Sequence, residues 1–317
     1  MKLSKVIIAT LLLVAAAGCY RVPDKIEPQV SYNVQEMHLK QLPPPFPPLS
    51  SDEKAQPWGQ EYLIGQKFAE NLDLYRAITT FKRAEFLIPP ENRVRLEEIQ
   101  YHILLSYYLG KRYEQVAQEF IHSSLYTAST TFPAYHDLLI IMYESYLEAG
   151  DEDKADYVLR IIKHHYPETA KRLEIATTLI EGNLDQIRNL AREDSSKTYL
   201  TNLLENYDTK KKSISKAQTL NAILPGAGYL YVGQKQSAVT AFLLNGLFIW
   251  AAVHFYSKGN IAAGTIFTSF ETGWYFGGIY GAGESAKLYN ERLYEDNAYP
   301  ALQRNHLFPV LMLKFGF

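Results

Sequence analysis

The residue most open to chemistry in this 317-residue chain is a carboxyl group inside an apolar run. Glu271 lies in the second of two such runs and Asn245 in the first, each 13 residues from the turn centred near Lys258. In an antiparallel pair of helices they sit at equal depth. A carboxyl group in lipid is costly and faces a partner or a wet cavity. The expected arrangement is a protonated Glu271 hydrogen-bonded to Asn245, with a proton-relay or catalytic Glu271 as the sharper alternative. Other candidate chemistry is thin. Gly226, Gly228 and Gly233 lack the lysine and the following serine or threonine of a phosphate-binding loop. His122 and the adjacent His164 and His165 have no second histidine at i+4 with acidic support, so no metal site is expected. With no nucleophile–base pair either, the chain is read as a non-enzyme with no catalytic residues and no cofactor.

The elements that must position Glu271 are two long helices. One apolar run covers Ser237 to Tyr256, a polar turn covers Ser257 to Asn260, and a second run covers Ile261 to Ala282. About 20 residues at about 1.5 Å each nearly cross a bilayer core of about 30 Å. This predicts a helical hairpin in or against a membrane. Its entrance is Pro225-Gly226-Ala227-Gly228-Tyr229-Leu230-Tyr231-Val232-Gly233, where Pro225 and Gly226 break helix and the glycines permit close approach. Gly273, Gly277 and Gly281 share one helix face, where two hairpin helices, or two copies forming a homodimer, can touch backbone to backbone. The pattern Pro225, Gly226, Gly228, Tyr231, Gly233, an apolar helix, a short turn and a second helix resembles small bacterial two-helix membrane domains. The closing segment Gly278 to Asn290 resembles the end of a related domain found behind tetratricopeptide repeats in envelope proteins. That resemblance implies placement at a membrane and no chemistry. Just before it, residues 208–216 carry Lys210, Lys211, Lys212 and Lys216, a basic linker suited to anionic headgroups.

The N-terminus reads as a targeting segment. Lys2 and Lys5 precede an apolar stretch, then Ala16-Ala17-Gly18-Cys19, and Cys19 is the only cysteine of the chain. This resembles the lipobox of bacterial lipoproteins. The resemblance implies cleavage before Cys19 and acylation of that residue, with palmitate among the chains. Tyr20, not aspartate, follows the cysteine and points to the outer membrane, whereas an apolar hairpin points to the inner one. Pro43-Pro44-Pro45-Phe46-Pro47-Pro48 predicts an extended, stiff tether. A net charge of −2 argues against nucleic-acid binding.

Between tether and linker the chain is periodic. Trp58, Gly65, Phe68, Ala77, Phe81, Ala84 and Pro89 recur at a spacing that resembles the tetratricopeptide repeat, a helix–turn–helix of about 34 residues. Weaker copies place Val116 and Ala155 opposite Ala77, and Tyr107 and Tyr146 opposite Phe68. Such arrays bind peptides or proteins on one face. At the other end, Leu311, Leu313, Phe315 and Phe317 alternate as in a strand or extended tail that packs on the hairpin or a partner.

The expected fold is all-α: a tetratricopeptide-like helical array followed by a membrane-associated apolar helical hairpin. Its segments are a signal peptide (1–18), a Pro-rich tether (19–51), the array (52–207), the basic linker (208–216), the hairpin with an amphipathic extension (217–297) and an extended tail (298–317). The expected function is that of a non-enzymatic envelope lipoprotein with its array in the periplasm. The array would bind envelope proteins, while the Cys19 acyl chains and the hairpin bind lipid. The alternative is a component of membrane-protein insertion or transport in which the hairpin acts directly.

Overall fold

A computed structural model describes residues 22–32 and 42–317. Cys19, and with it the expected acylation site, lies outside the described residues. The fold is all-helical, with no strand among the described residues. In chain order the helices are α1 (Ser51–Ala55), α2 (Pro57–Glu70), α3 (Leu74–Leu87), α4 (Arg93–Leu109), α5 (Tyr113–His122), α6 (Tyr135–Glu148), α7 (Glu152–His165) and α8 (Pro167–Glu181). Then follow α9 (Leu184–Glu193), α10 (Thr198–Lys210), α11 (Ile214–Ile223), α12 (Ala227–Val232), α13 (Lys235–Ser257) and α14 (Ile261–Arg304). Their starts are set locally. Ser50 and Glu53 form a reciprocal capping box, and Asp73, Asp151, Asn183 and Ser213 each accept a backbone N–H from the first turn they precede.

The chain forms two compact units. Among the described residues, one comprises those of 31–179 and 300–317, the other those of 22–30 and 180–299. Helices α9 and α10 group with the apolar helices: Arg188 on α9 pairs with Asp208 on α10, and Asn206 bonds Asn297 on α14.

In the first of these units α2 packs on α3, α3 on α4, α4 on α5 and α6 on α7. Trp58, Ala77, Phe81 and Ala84 are buried between them. Gly65 is required by size: a Cβ there would lie 2.7 Å from the Phe81 ring. Val116 and Ala155 are buried at the later positions of the same spacing.

Two terminal segments differ from expectation. The proline-rich stretch is no free tether: Phe46 and Leu49 are buried, and Arg95 donates to the carbonyls of Pro47 (2.8 Å) and Pro48 (3.3 Å). An extended segment leaves its carbonyls unpaired, and a buried guanidinium with five donors satisfies two of them. The C-terminal tail forms no strand. A 3-10 turn (Pro309–Met312) leads it onto α6, where Lys314 and Phe315 both donate their backbone N–H to Asp137 Oδ2 (2.8 and 2.9 Å). Gly316 N–H donates to Pro43 O, and Phe317 packs on Phe81 and His102.

Candidate functional site

The entrance motif is a packing device. Gly226 has φ +94° and donates its N–H to Asn221 Oδ1 (2.8 Å), and a Cβ there would sit 2.3 Å from Ala238 O. Gly228 lies so close to α11 and α14 that a Cβ would meet Ala217 O at 2.3 Å and the Cβ atoms of Ala282 and Asn221 at 2.8 Å. Gly233, at φ +93°, ends α12, and Pro225 stands in the turn before it. Tyr231 Oη accepts the Ser213 N–H (3.1 Å), while its ring lies 5.0 Å from the ammonium groups of both Lys212 and Lys216. Tyr275 Oη donates to Ala222 O (2.6 Å). The motif thus binds α11 and α12 to the foot of α13 and α14. Asn221, 2% exposed, is the fastening that sequence reasoning missed; its signal was an asparagine five residues before the first glycine.

The basic linker is likewise fixed. Asn290 accepts the Lys212 N–H (2.7 Å) and donates to Lys212 O (2.9 Å), while Lys211 pairs with Asp208.

Above this foot, α13 and α14 meet through aromatics: Phe248 touches Phe267, Phe270 and Trp274, and Phe255 stacks on Phe267. Their outer faces are apolar and open. Val239, Phe242, Leu243, Leu247, Trp250 and Val253 on α13 are 52–64% exposed. On α14, Ile261, Ile266, Phe270, Trp274 and Tyr280 are exposed too. Among the described residues one helix, Lys235–Ser257, is long and apolar enough to cross a membrane. Helix α14 carries Glu271, hydroxyls and glycines over the matching length and does not qualify by composition.

The expected Glu271–Asn245 hydrogen bond is not made. Asn245 Nδ2 donates to Ala241 O of its own helix (2.6 Å), and Asn245 Oδ1 and Glu271 Oε2 are buried without partners. Short polar side chains in an apolar helix take the carbonyl one turn back. The glycine face is divided as well. A Cβ at Gly281 would strike Tyr229 Oη at 2.3 Å, whereas at Gly273 and Gly277 it would meet nothing within 4 Å. The latter two line an open groove of about 540 Å³ with Tyr229, Thr240, Ala241 and Trp274. Because Glu271 Oε2 has no partner to lose, Glu271→Gln is expected to keep wild-type membrane yield and thermal stability. Lost yield in membrane fractions would show that the carboxyl group is needed.

The unit that holds α2–α7 buries polar groups too. Arg95 pairs with Glu53 (2.8 Å) and Glu98 (2.6 Å), and Tyr62 Oη donates to Glu98 Oε1 (2.5 Å). The Arg95 guanidinium holds the Glu53 carboxyl at about 2. On α6, His136 Nδ1 lies 2.7 Å from Asp137 Oδ1, so the fully buried Asp137 serves a histidine and two backbone amides. Burial pushes Glu144 up to about 7 beside Tyr108.

Fully buried among Phe46, Tyr62, Phe81, Tyr101 and Phe317, His102 has neither ring nitrogen bonded. Burial lowers its pKa to about 3. The unfolded chain takes up the proton near 6.5, so the contribution is complete above that pH and is lost as pH falls from 6.5 towards 3. Urea midpoints measured across this window should fall with acid more steeply in the wild type than in His102→Phe.

No protein-family model, no curated protein and no solved structure matches the chain.

Proposed function

We propose that this chain is a non-enzymatic lipoprotein of the bacterial envelope that scaffolds a protein assembly. In this reading α13 and α14 lie in lipid as a hairpin, the repeat unit is tetratricopeptide-like, and its surface grips an envelope protein. The carrying observation is the exposed apolar belt. Large side chains from Val239 to Tyr256 and from Ile261 to Tyr280 face outward. These stretches span about 27 and 30 Å of helix, close to a hydrocarbon core of about 30 Å. Soluble proteins rarely expose apolar patches beyond a few hundred Å². With the surface over Asp137 and His102 taken by the chain's own tail, support for a partner site comes from α3. There Tyr75 (80% exposed), Phe86 (88%) and Leu87 (43%) border a groove of about 570 Å³ with Lys82, Arg83 and Arg112.

A second reading makes the chain part of an insertion or transport system in which the helix pair acts directly. It draws on the partnerless Asn245 Oδ1 and Glu271 Oε2 and on the open groove at Gly273 and Gly277, which also suits a second copy. A double variant Tyr75→Glu/Phe86→Glu separates the two. A scaffold should lose its co-purifying envelope protein while staying in the membrane; a factor acting through its helix pair should be unaffected.

A further inference from the structure

The corner between α11 and α12 dips to the level of the apolar belt. Its depth is fixed by contacts with α14, along which α11 runs antiparallel. Lys212 is bonded through both its N–H and its carbonyl to Asn290. A Cβ at Gly283 would lie 2.9 Å from the Gln218 side chain, and one at Gly278 would lie 3.2 Å from Asn221 Nδ2. Tyr275 Oη donates to Ala222 O. The belt on α14 ends at Tyr280, so Asn221 and Ala222 stand about 3 and 8 Å inside that end. The register against α13 agrees. Gly226 abuts Ala238, one residue before Val239, where the belt on that helix begins. At the corner itself Ile223 is 77% and Leu224 50% exposed. The backbone there is built for a place without water. Leu224 N–H donates to Leu220 O (3.0 Å), Gly226 N–H to Asn221 Oδ1 (2.8 Å) and Ala227 N–H to Leu224 O (2.9 Å), while Pro225 has no N–H. Every donor from Leu224 to Ala227 is thus paired or absent. Water can serve the donors of an exposed turn. Hydrocarbon cannot, and irregular backbone persists at membrane depth only where the protein satisfies it.

We propose that this corner is a third lipid-entering element, a shallow re-entrant wedge beside the helix pair. Ile223 and Leu224 sit among acyl chains just beneath the headgroups, and Lys216 and Lys235 meet the phosphate groups of anionic phospholipid at the rim. This rests on the reading that α13 and α14 lie in lipid. The charges agree with the depth. Between Lys216 and Lys235 no residue carries a charge. Lys235 stands one turn before Val239. Lys216 adjoins Ala217, which packs in one cluster with Ala286, six residues beyond Tyr280. Both lysines are therefore about 6–9 Å outside the belt, the depth of a headgroup layer of about 5–8 Å per leaflet. Lys216 lies over the Tyr231 ring, and among the described residues neither lysine is paired with a carboxylate. A lysine so placed holds its ammonium group at the interface while its stem covers apolar surface.

The test uses the full-length protein in sealed vesicles of phosphatidylethanolamine with phosphatidylglycerol as the minor component. A photoreactive residue replaces, one at a time, Phe242 on the belt, Ile223 or Leu224 at the corner, and Ser215 two turns above it. All four are exposed, so the replacements disturb no packing. Adducts are identified by mass spectrometry. The proposal expects acyl-chain adducts from positions 242, 223 and 224 and few from 215. It also expects phosphatidylglycerol to be enriched among the adducts at 223 by about fivefold over its share of the vesicle, the equivalent of about 1 kcal/mol at a lysine. Lys216→Gln/Lys235→Gln should return that share to the vesicle's own. Lipid adducts at 242 with only water or protein products at 223 and 224 overturn the wedge and leave the lipid reading standing. Lipid adducts at 223 without enrichment, or with enrichment that survives the double variant, overturn the placement of the lysines at the phosphates. No lipid adduct at 242 overturns the lipid reading, and the proposal with it.

Discussion

Gly226→Ala is expected to release the foot of the apolar helices and to cost more than about 3 kcal/mol. Two effects act together. At φ +94° a side chain is strained, by about 1–3 kcal/mol. The added Cβ would also lie 2.3 Å from Ala238 O, a backbone atom that cannot swing aside. Relief by moving the turn breaks the Gly226–Asn221 bond and leaves a buried amide oxygen unpaired, which costs about 1–3 kcal/mol again. Limited trypsin digestion of purified membranes reads the outcome. The wild-type protein should be resistant at Lys216 and Lys235, the two tryptic sites that flank the turn, and Gly226→Ala should be cut at both quickly. Gly277→Ala is the matched control, because its Cβ enters open space.

Asp137→Ala is expected to detach the C-terminal tail from α6. The carboxylate is 0% exposed and accepts from Lys314 and Phe315 N–H while contacting His136 Nδ1. Truncation leaves all three without that acceptor, at about 1–3 kcal/mol each where water cannot enter, so a loss of at least about 3 kcal/mol is expected. Asp137→Asn keeps an acceptor and should fall between. Thermal melting gives the magnitude, and cleavage at Lys314 gives the location. A melting point unchanged in Asp137→Ala would contradict the structural role of this cradle.

Helical packing was legible where one spacing fixed it. Trp58, Gly65, Ala77, Phe81 and Ala84 stand where two helices must approach, and each is buried there. The glycines of the entrance were legible for the same reason, since only they tolerate those approaches. Rotation about a helix axis was not. Equal counts from the turn put Asn245 and Glu271 at one depth but left open which way they face, and Asn245 bonds its own helix instead. Covering was not legible either. The prolines around Phe46 predict an extended chain, and nothing in their pattern announces Arg95 as the donor that holds it down. The alternation of Leu311 to Phe317 likewise predicts extended backbone. Its hydrogen bonds go to the Asp137 side chain, 177 residues away, where a strand reading looks for another strand.

The proposed function places α13 and α14 in lipid and a partner protein on α3. Photoreactive residues placed at Phe242 and at Phe86 in intact cells, followed by separation of inner and outer membranes, test both halves at once. Phospholipid adducts are expected from position 242 and one dominant envelope protein from position 86, in the same membrane fraction. Protein adducts alone at 242, with no dominant species at 86, would contradict it.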